Sequence, residues 1–206
     1  MSRMHTTGKL AALALAFMFA GLGAAEAATA RIIVPPPAGI TLSQTGRPNA
    51  LTLEDKTGLP PTLLRQVVPY QTAEKPGTIV VNTGQKYLYL VLGHGRAMRY
   101  GIGVAKTGFE WSGTHRITAK REWPDWTPPV EMLQRRPDIP THMDGGIDNP
   151  LGARALYIGT TLYRIHGTNE PWTIGSNVSS GCIRLTNDDV MDLYSRAKIG
   201  AKVVVF

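Results

Sequence analysis

Residues 164–185 read R-I-H-G-T-N-E-P-W-T-I-G-S-N-V-S-S-G-C-I-R-L. The run Leu162-Tyr163-Arg164-Ile165 has the aromatic and β-branched character of a strand and leads straight into His166. Ile183-Arg184-Leu185 reads as a second short strand, directly after Cys182. Between them, proline, glycines and serines break any regular pattern. The stretch is therefore strand, irregular connection, strand, with a histidine closing the first strand and a cysteine opening the second. That pairing is chemically meaningful, because a thiolate is a nucleophile and an imidazole can take the thiol proton. Gly181, without a side chain, would let a substrate carbonyl approach the sulfur, and backbone N–H groups of Ser180, Gly181 and Cys182 would then make an oxyanion hole. Thr168, Ser176, Ser179 and Ser180 read equally as partners of the ring or as caps for local backbone. A histidine and a cysteine alone remain weak evidence, since any two in one chain can be paired on paper.

Working outward, Thr186-Asn187-Asp188-Asp189 matches a capping box and opens a helix running to about Ala197. Gly200 stops it, and Ala201–Phe206 reads as a closing strand. Upstream, Thr78–Val81 is β-branched and ends at the turn Asn82-Thr83-Gly84, with Tyr87–Leu92 as the returning strand of a hairpin. Gly93-His94-Gly95 marks another turn before a strand from Ala97 to Gly103, and Leu156-Tyr157-Ile158 is a further strand. From Phe109 to Pro150 the chain reads as irregular, rich in Trp and Pro, and long enough to be a lid over a site. His94, His115 and His142 read as solvated polar residues. The expected fold is mostly β, a β-sandwich or partly closed barrel with one clear helix and a long Trp/Pro-rich lid loop.

The N-terminus sets the compartment. Arg3 and Lys9 precede an uncharged stretch from Leu10 to Gly23, shorter than the roughly 20 apolar residues that span a membrane. Ala25-Glu26-Ala27 supplies the small-x-small pattern of a signal-peptidase site, so residues 1–27 read as a cleavable signal peptide. The expected location is the periplasm, with no stable membrane insertion after cleavage. Eight of the fifteen prolines lie between Pro35 and Pro76, so residues 28–76 read as an extended leader, with a short helix near Pro61–Val67. The domain proper is residues 77–206.

The 206 residues carry a formal charge of +7, with 43% hydrophobic and 18% charged positions, ample for one packed core. The basic residues are scattered, and no lysine/arginine run marks a nucleic-acid footprint. One cysteine excludes an intramolecular disulfide framework and a multi-cysteine zinc site. In an oxidising compartment a lone thiol is a liability, so Cys182 is either well buried or kept because it is used.

The pattern H-G-T…S-x-G-C-I-R-L resembles the signature of the YkuD-type L,D-transpeptidases, cysteine enzymes that remodel peptidoglycan. Gly101-Ile102-Gly103, the stretch Trp123–Pro129 and Asn149–Arg154 also look like this family, closest to members from Gram-negative bacteria. The resemblance covers residues 77–206 and implies a two-step acyl transfer. Cys182 would attack the donor tetrapeptide stem and release D-Ala. The thioester would pass to an amine, for stem cross-linking or anchoring of an envelope protein, or to water, an L,D-carboxypeptidase side activity. His166 would be the base, oriented by the carbonyl of Gly167, and Arg184 would help hold the donor. Many members carry His or Arg where this chain has Ser180. The resemblance also implies acylation by carbapenems, and the mechanism calls for no cofactor and no metal. Trp123, Trp126 and Trp172 read either as packing or as substrate-facing; Trp126 and Trp172 join Ser180, Gly181 and Arg184 as substrate-binding candidates.

Three other readings compete. Papain-like and amidase cysteine peptidases place Cys before His in the chain, the reverse of the order here. Caspases place His first, but their flanking pattern around the Cys is absent. A catalytically dead wall-binding module would have no reason to carry both base and nucleophile.

Overall fold

The computed structural model describes residues 58–206. The stretch read as a signal peptide, residues 1–27, and most of that read as a leader lie outside the described residues. Among the described residues, eleven strands form a nine-stranded sheet and a two-stranded one. The central hairpin forms as its β-branched runs require: β2 (Ile79–Asn82) pairs antiparallel with β3 (Tyr87–Gly93), which pairs with β4 (Arg96–Gly101). His94 takes φ 52° in the tight turn between β3 and β4.

Two strands of the large sheet stand where the sequence suggested none. β1 (Gln66–Pro69) pairs antiparallel with β4 along the sheet edge, inside the stretch read as an extended leader. Proline is tolerated there because an edge strand needs only one row of ladder donors. Ahead of it, Pro61–Leu63 makes a single 3-10 turn in place of the expected helix. β6 (Gly113–Glu122) is the longest strand, and it occupies ground assigned to the irregular lid. Only Ile117 within it is buried, so its sequence lacks the alternation that betrays a strand. The irregular connection is thus shorter, from Trp123 to Ala153, and holds a short helix, α1 (Val130–Arg135).

β6 joins the two halves of the sheet. Its first residues pair antiparallel with β11 (Lys202–Val205), which lies parallel to β2. Its later residues pair with β7 (Arg154–Ile158), followed by β8 (Arg164–His166) and β10 (Ile183–Arg184). Ile79, Val81, Leu88 and Leu90 of one half meet Leu156, Ile158, Ile165 and Ile183 of the other in one core. The helix α2 (Asn187–Arg196) adds Val190 and Leu193. The sheet is not closed. Gly103, just past β4, exchanges backbone hydrogen bonds with Arg184 at 2.9 Å, and the next two residues form β5 (Val104–Ala105), parallel to β9 (Asn177–Ser179). The partly closed sandwich thus comes together beside the stretch that carries Cys182.

The N-cap half of the expected capping box forms: Thr186 Oγ1 accepts from the Asp189 amide at 3.1 Å. Arg65, just before β1, reaches Asp189 at 3.5 Å and Asp192 at 3.6 Å, tying that segment to α2. Burial outweighs Arg65 and lifts the Asp189 carboxyl to about 6. A carboxyl raised in the folded state is penalised while ionised, and the penalty fades as pH falls through 6 toward its unfolded value. Asp189→Asn is therefore expected to raise the melting temperature by a few degrees at pH 7.5. The gap to the parent should narrow between pH 6 and 4. Thermal melts across pH check this, and a variant less stable than the parent at pH 7.5 would overturn it.

Candidate active site

β8 and β10 are parallel neighbours, with Ile165 beside Ile183 and His166 beside Arg184. Ile165 and Ile183 point into the core. Side chains alternate along a strand, so Arg164, His166 and Arg184 occupy the opposite face. Carried one residue back, the same register puts Cys182 beside Arg164. By that alternation the two reactive side chains that sixteen residues separate in sequence turn to one face of the β8–β10 pair, Cys182 one residue ahead of β10. Leu185 donates to the His166 carbonyl at 2.8 Å and extends the pairing past the histidine.

His166 is only 3% exposed. Its Nδ1 lies 2.6 Å from the Gly167 carbonyl oxygen. A carbonyl only accepts, so Nδ1 carries the proton and Nε2 is left with a free lone pair. Burial, and then the Arg184 charge, push the imidazolium pKa down to about 3; Arg164 adds to this, while the carbonyls of Gly167 and Leu151 oppose it. The half-buried Cys182 has Sγ 4.0 Å from the Leu162 carbonyl. Burial pushes its thiol up, against the pull of the Arg164 backbone and of the Arg164 and Arg184 charges. At neutral pH the resting pair is thus thiol and neutral imidazole.

The turn before Cys182 is held by Ser179, whose Oγ donates to the Cys182 carbonyl at 2.5 Å and accepts from the Gly181 amide at 3.2 Å. Ser179 therefore serves local backbone and not the ring, and the Gly181 N–H, expected to face an oxyanion, is already engaged. Thr168 Oγ1 likewise accepts from the Glu170 amide at 3.0 Å. Gly181 sits at φ +116°, and a Cβ there would run into the Tyr163 ring. The glycine is thus required by the close approach of Tyr163, a reason the sequence alone does not supply. Trp111 stacks on Tyr163 at 4.5 Å and donates Nε1–H to the Gly181 carbonyl at 2.6 Å. Behind this platform lies a cavity of about 180 Å³, lined in part by Val104, Trp111, Gly181 and Ile183.

Arg184 is largely buried, with Nη1 3.0 Å from Glu170 Oε2 and its buried Nε without a partner. Glu170 immediately precedes the 3-10 turn Pro171–Thr173, from which Trp172 projects with 67% of its surface exposed. Ser180 is exposed beside Cys182. Trp126 lies in the connection between β6 and β7, where it exchanges backbone hydrogen bonds with Met143 at 2.8 and 2.9 Å. His142 stays on the surface between Thr127 and Asp144, and His115 sits edge-on to Trp111. Four residues of the site escaped the sequence reading: Trp111, Tyr163, Arg164 and Asn187. Only Arg164 left a usable signal, two residues before His166 on its strand as Arg184 is two after Cys182.

The model of the YkuD L,D-transpeptidase catalytic domain matches residues 76–205. The chain belongs to the L,D-transpeptidase family. Among curated relatives, a probable L,D-transpeptidase ErfK/SrfK of Escherichia coli K12 is 35% identical over 81% of this chain and 55% of its own length. A second, YbiS of the same organism, is 32% identical over 80% of this chain and 55% of its own length. The chain thus spans about half the length of these relatives. A solved chain from Brucella melitensis, described as a probable carnitine operon oxidoreductase, is 48% identical and covers 74% of this chain and 99% of its own. Its TM-score of 0.48 is too low for that likeness to bear on function. Within the span matching the L,D-transpeptidase domain lie β2 to β11, including both strands that carry His166 and Arg184. No helix among the described residues is long and apolar enough to cross a membrane.

Proposed function

We propose that the protein is a cysteine acyltransferase of the periplasm, exported by residues 1–27, that acts on peptidoglycan stem peptides. What supports this most is the β8–β10 pairing, which by strand alternation turns Cys182, one residue ahead of β10, to the face of His166, with Nδ1 of the ring held by Gly167 so that Nε2 can take a proton. In the first step the thiol proton passes to Nε2 and the thiolate attacks the amide carbonyl before the terminal D-Ala. Backbone N–H groups of residues 180–182 other than that of Gly181 hold the oxyanion. Collapse breaks the C–N bond, the imidazolium protonates the departing amine, and D-Ala leaves a thioester on Cys182. In the second step His166 takes a proton from an incoming amine, either a stem amine or a lysine of an envelope protein. The amide forms and the thiolate departs. Water in place of the amine gives a trimmed stem.

Incubating residues 28–206 with purified disaccharide-tetrapeptides and weighing the products tests the reading. Cross-linked dimers with released D-Ala are the expected result. Trimmed stems alone would make the protein a carboxypeptidase, and no reaction would overturn the acyl-transfer reading.

Arg184 is proposed to hold a donor carboxylate alongside its bond to Glu170. Its planar guanidinium can serve both, whereas a lysine ammonium is a single point charge. Arg184→Lys is expected to keep the Glu170 contact and a nearly unchanged melting temperature. Turnover of the tetrapeptide donor should fall about tenfold to a hundredfold, the cost of a charge-assisted hydrogen bond. Turnover equal to the parent's would remove Arg184 from the donor site.

A further inference from the structure

The side chain of Asn187, the first residue of α2, points back toward the candidate site. Its Oδ1 accepts from the Ala153 amide at 2.9 Å and from the Thr168 amide at 3.2 Å. Two glycines make the space for it. A Cβ at either Gly152 or Gly167 would collide with Asn187 Oδ1. The Thr168 N–H and the Gly167 carbonyl belong to one peptide unit. In a planar trans peptide they point in opposite directions. The N–H of that unit is tied to Asn187, and its carbonyl faces Nδ1 of His166. The Gly167 amide, on the next unit back, donates to the Arg154 carbonyl at 3.1 Å, so the segment is fixed on both sides.

From this chain of contacts we infer that Asn187 is a positioning residue for His166, acting through the Gly167–Thr168 peptide. The inference rests on the reading of His166 as the base. Asn187 does two things. It fixes the plane of the peptide, so the carbonyl meets Nδ1 and the ring keeps the tautomer with Nε2 open. It also polarises that peptide, because a carbonyl whose own N–H is hydrogen-bonded accepts more strongly. The amide thereby does for this imidazole, through one peptide bond, what a directly bonded carboxylate does in a serine-protease triad. The second acceptance, from Ala153, anchors Oδ1 to the start of β7 and keeps α2 in step with β7 and β8.

Two variants and two readouts test it. Asn187→Asp keeps an oxygen able to accept both amides; Asn187→Ala removes it. In Asn187→Ala, kcat for acyl transfer should fall about 10- to 100-fold, the range over which outer hydrogen-bond partners of a functional histidine act. KM should stay near the parent value, because the residue touches no substrate. Asn187→Asp should restore most of kcat. The second readout is the NMR resonance of the His166 Nδ1 proton, expected far downfield in the parent and in Asn187→Asp. It should move upfield, or vanish into exchange with water, in Asn187→Ala. A merely structural asparagine would leave that resonance in place in any folded variant. Parental kcat with an unmoved resonance in Asn187→Ala overturns the inference. If Asn187→Ala does not fold, Asn187→Asp decides alone, and a folded Asp variant that has lost the resonance overturns it. If the parent shows no transfer at all, the acyl-transfer reading fails while the resonance still tests the positioning role.

Discussion

Cys182→Ala is expected to lose acyl transfer altogether, a fall on the order of 10⁴- to 10⁶-fold as when a nucleophile is removed from a covalent mechanism. The fold should survive, because Cys182 is half-buried at the mouth of a strand and its backbone, not its sulfur, holds the turn with Ser179. The chain has one cysteine, so covalent labelling is unambiguous. Residues 28–206 treated with a carbapenem should gain one adduct by intact mass, and the variant should gain none. An adduct of equal yield in Cys182→Ala would place the nucleophile elsewhere. Labelling by a small alkylating agent separates the contribution of the site from that of the thiol. Burial raises the thiol pKa, so alkylation at neutral pH should be slower than for an exposed cysteine and should accelerate on the alkaline side. The carbapenem reaction should keep its rate at neutral pH, because on the proposed mechanism His166 takes the proton as the bond forms.

How much of this was legible depends on where each element takes its stability from. The β2–β3 hairpin could be read because Ile79, Val80 and Val81 are apolar and a turn sequence follows at once. α2 could be read because Thr186 carries its own cap. β6 could not. Arg116, Thr118, Lys120 and Arg121 are polar or charged, and the strand is held by ladders to β11 on one side and β7 on the other. Its neighbours make it a strand, and its side chains do not announce it. β1 was hidden by the prolines around it, although an edge strand can end on Pro69 without losing a needed donor.

In the candidate site, the residue types that bear chemistry were legible and the residues that hold them were not. His166 and Cys182 stand out because the segment has one imidazole and one thiol, and an imidazole that takes a thiol proton makes the strongest nucleophile available there. Asn187 reads in sequence as an ordinary first residue of a capped helix. Its contacts arise only where the chain crosses itself at Gly152 and Gly167. Tyr163 and Trp111 look like core aromatics, and indeed pack against the core. Their hold on Gly181 depends on a stacking distance that no spacing in the sequence encodes.

His166→Gln is expected to lower acyl transfer by about 10²- to 10⁴-fold, the usual share of a general base. Glutamine keeps a donor for the Gly167 carbonyl and much of the ring's volume, so the loss should fall on proton transfer more than on folding. The pH profile separates this base from an ordinary histidine. A histidine near its usual pKa would cost activity as pH drops from 7 to 5, because the protonated ring cannot take the thiol proton. Here burial and Arg184 hold the ring neutral down to about 3. The parent should therefore show no acid limb from His166 between pH 7 and 5. The same shift gives stability a sign. A histidine that is harder to protonate when folded adds stability above its unfolded pKa of about 6.5 and loses it as pH falls toward 3. His166→Gln should therefore destabilise less on acidification than the parent, even as it loses activity at every pH. His142→Gln serves as the control, since that ring lies on the surface beside Asp144. If His142→Gln folded normally and lost as much transfer as His166→Gln, the base would have been assigned to the wrong ring. An acid limb near 6.5 in the parent that disappears in His166→Gln would mean that water reaches the ring and that burial does not hold it neutral.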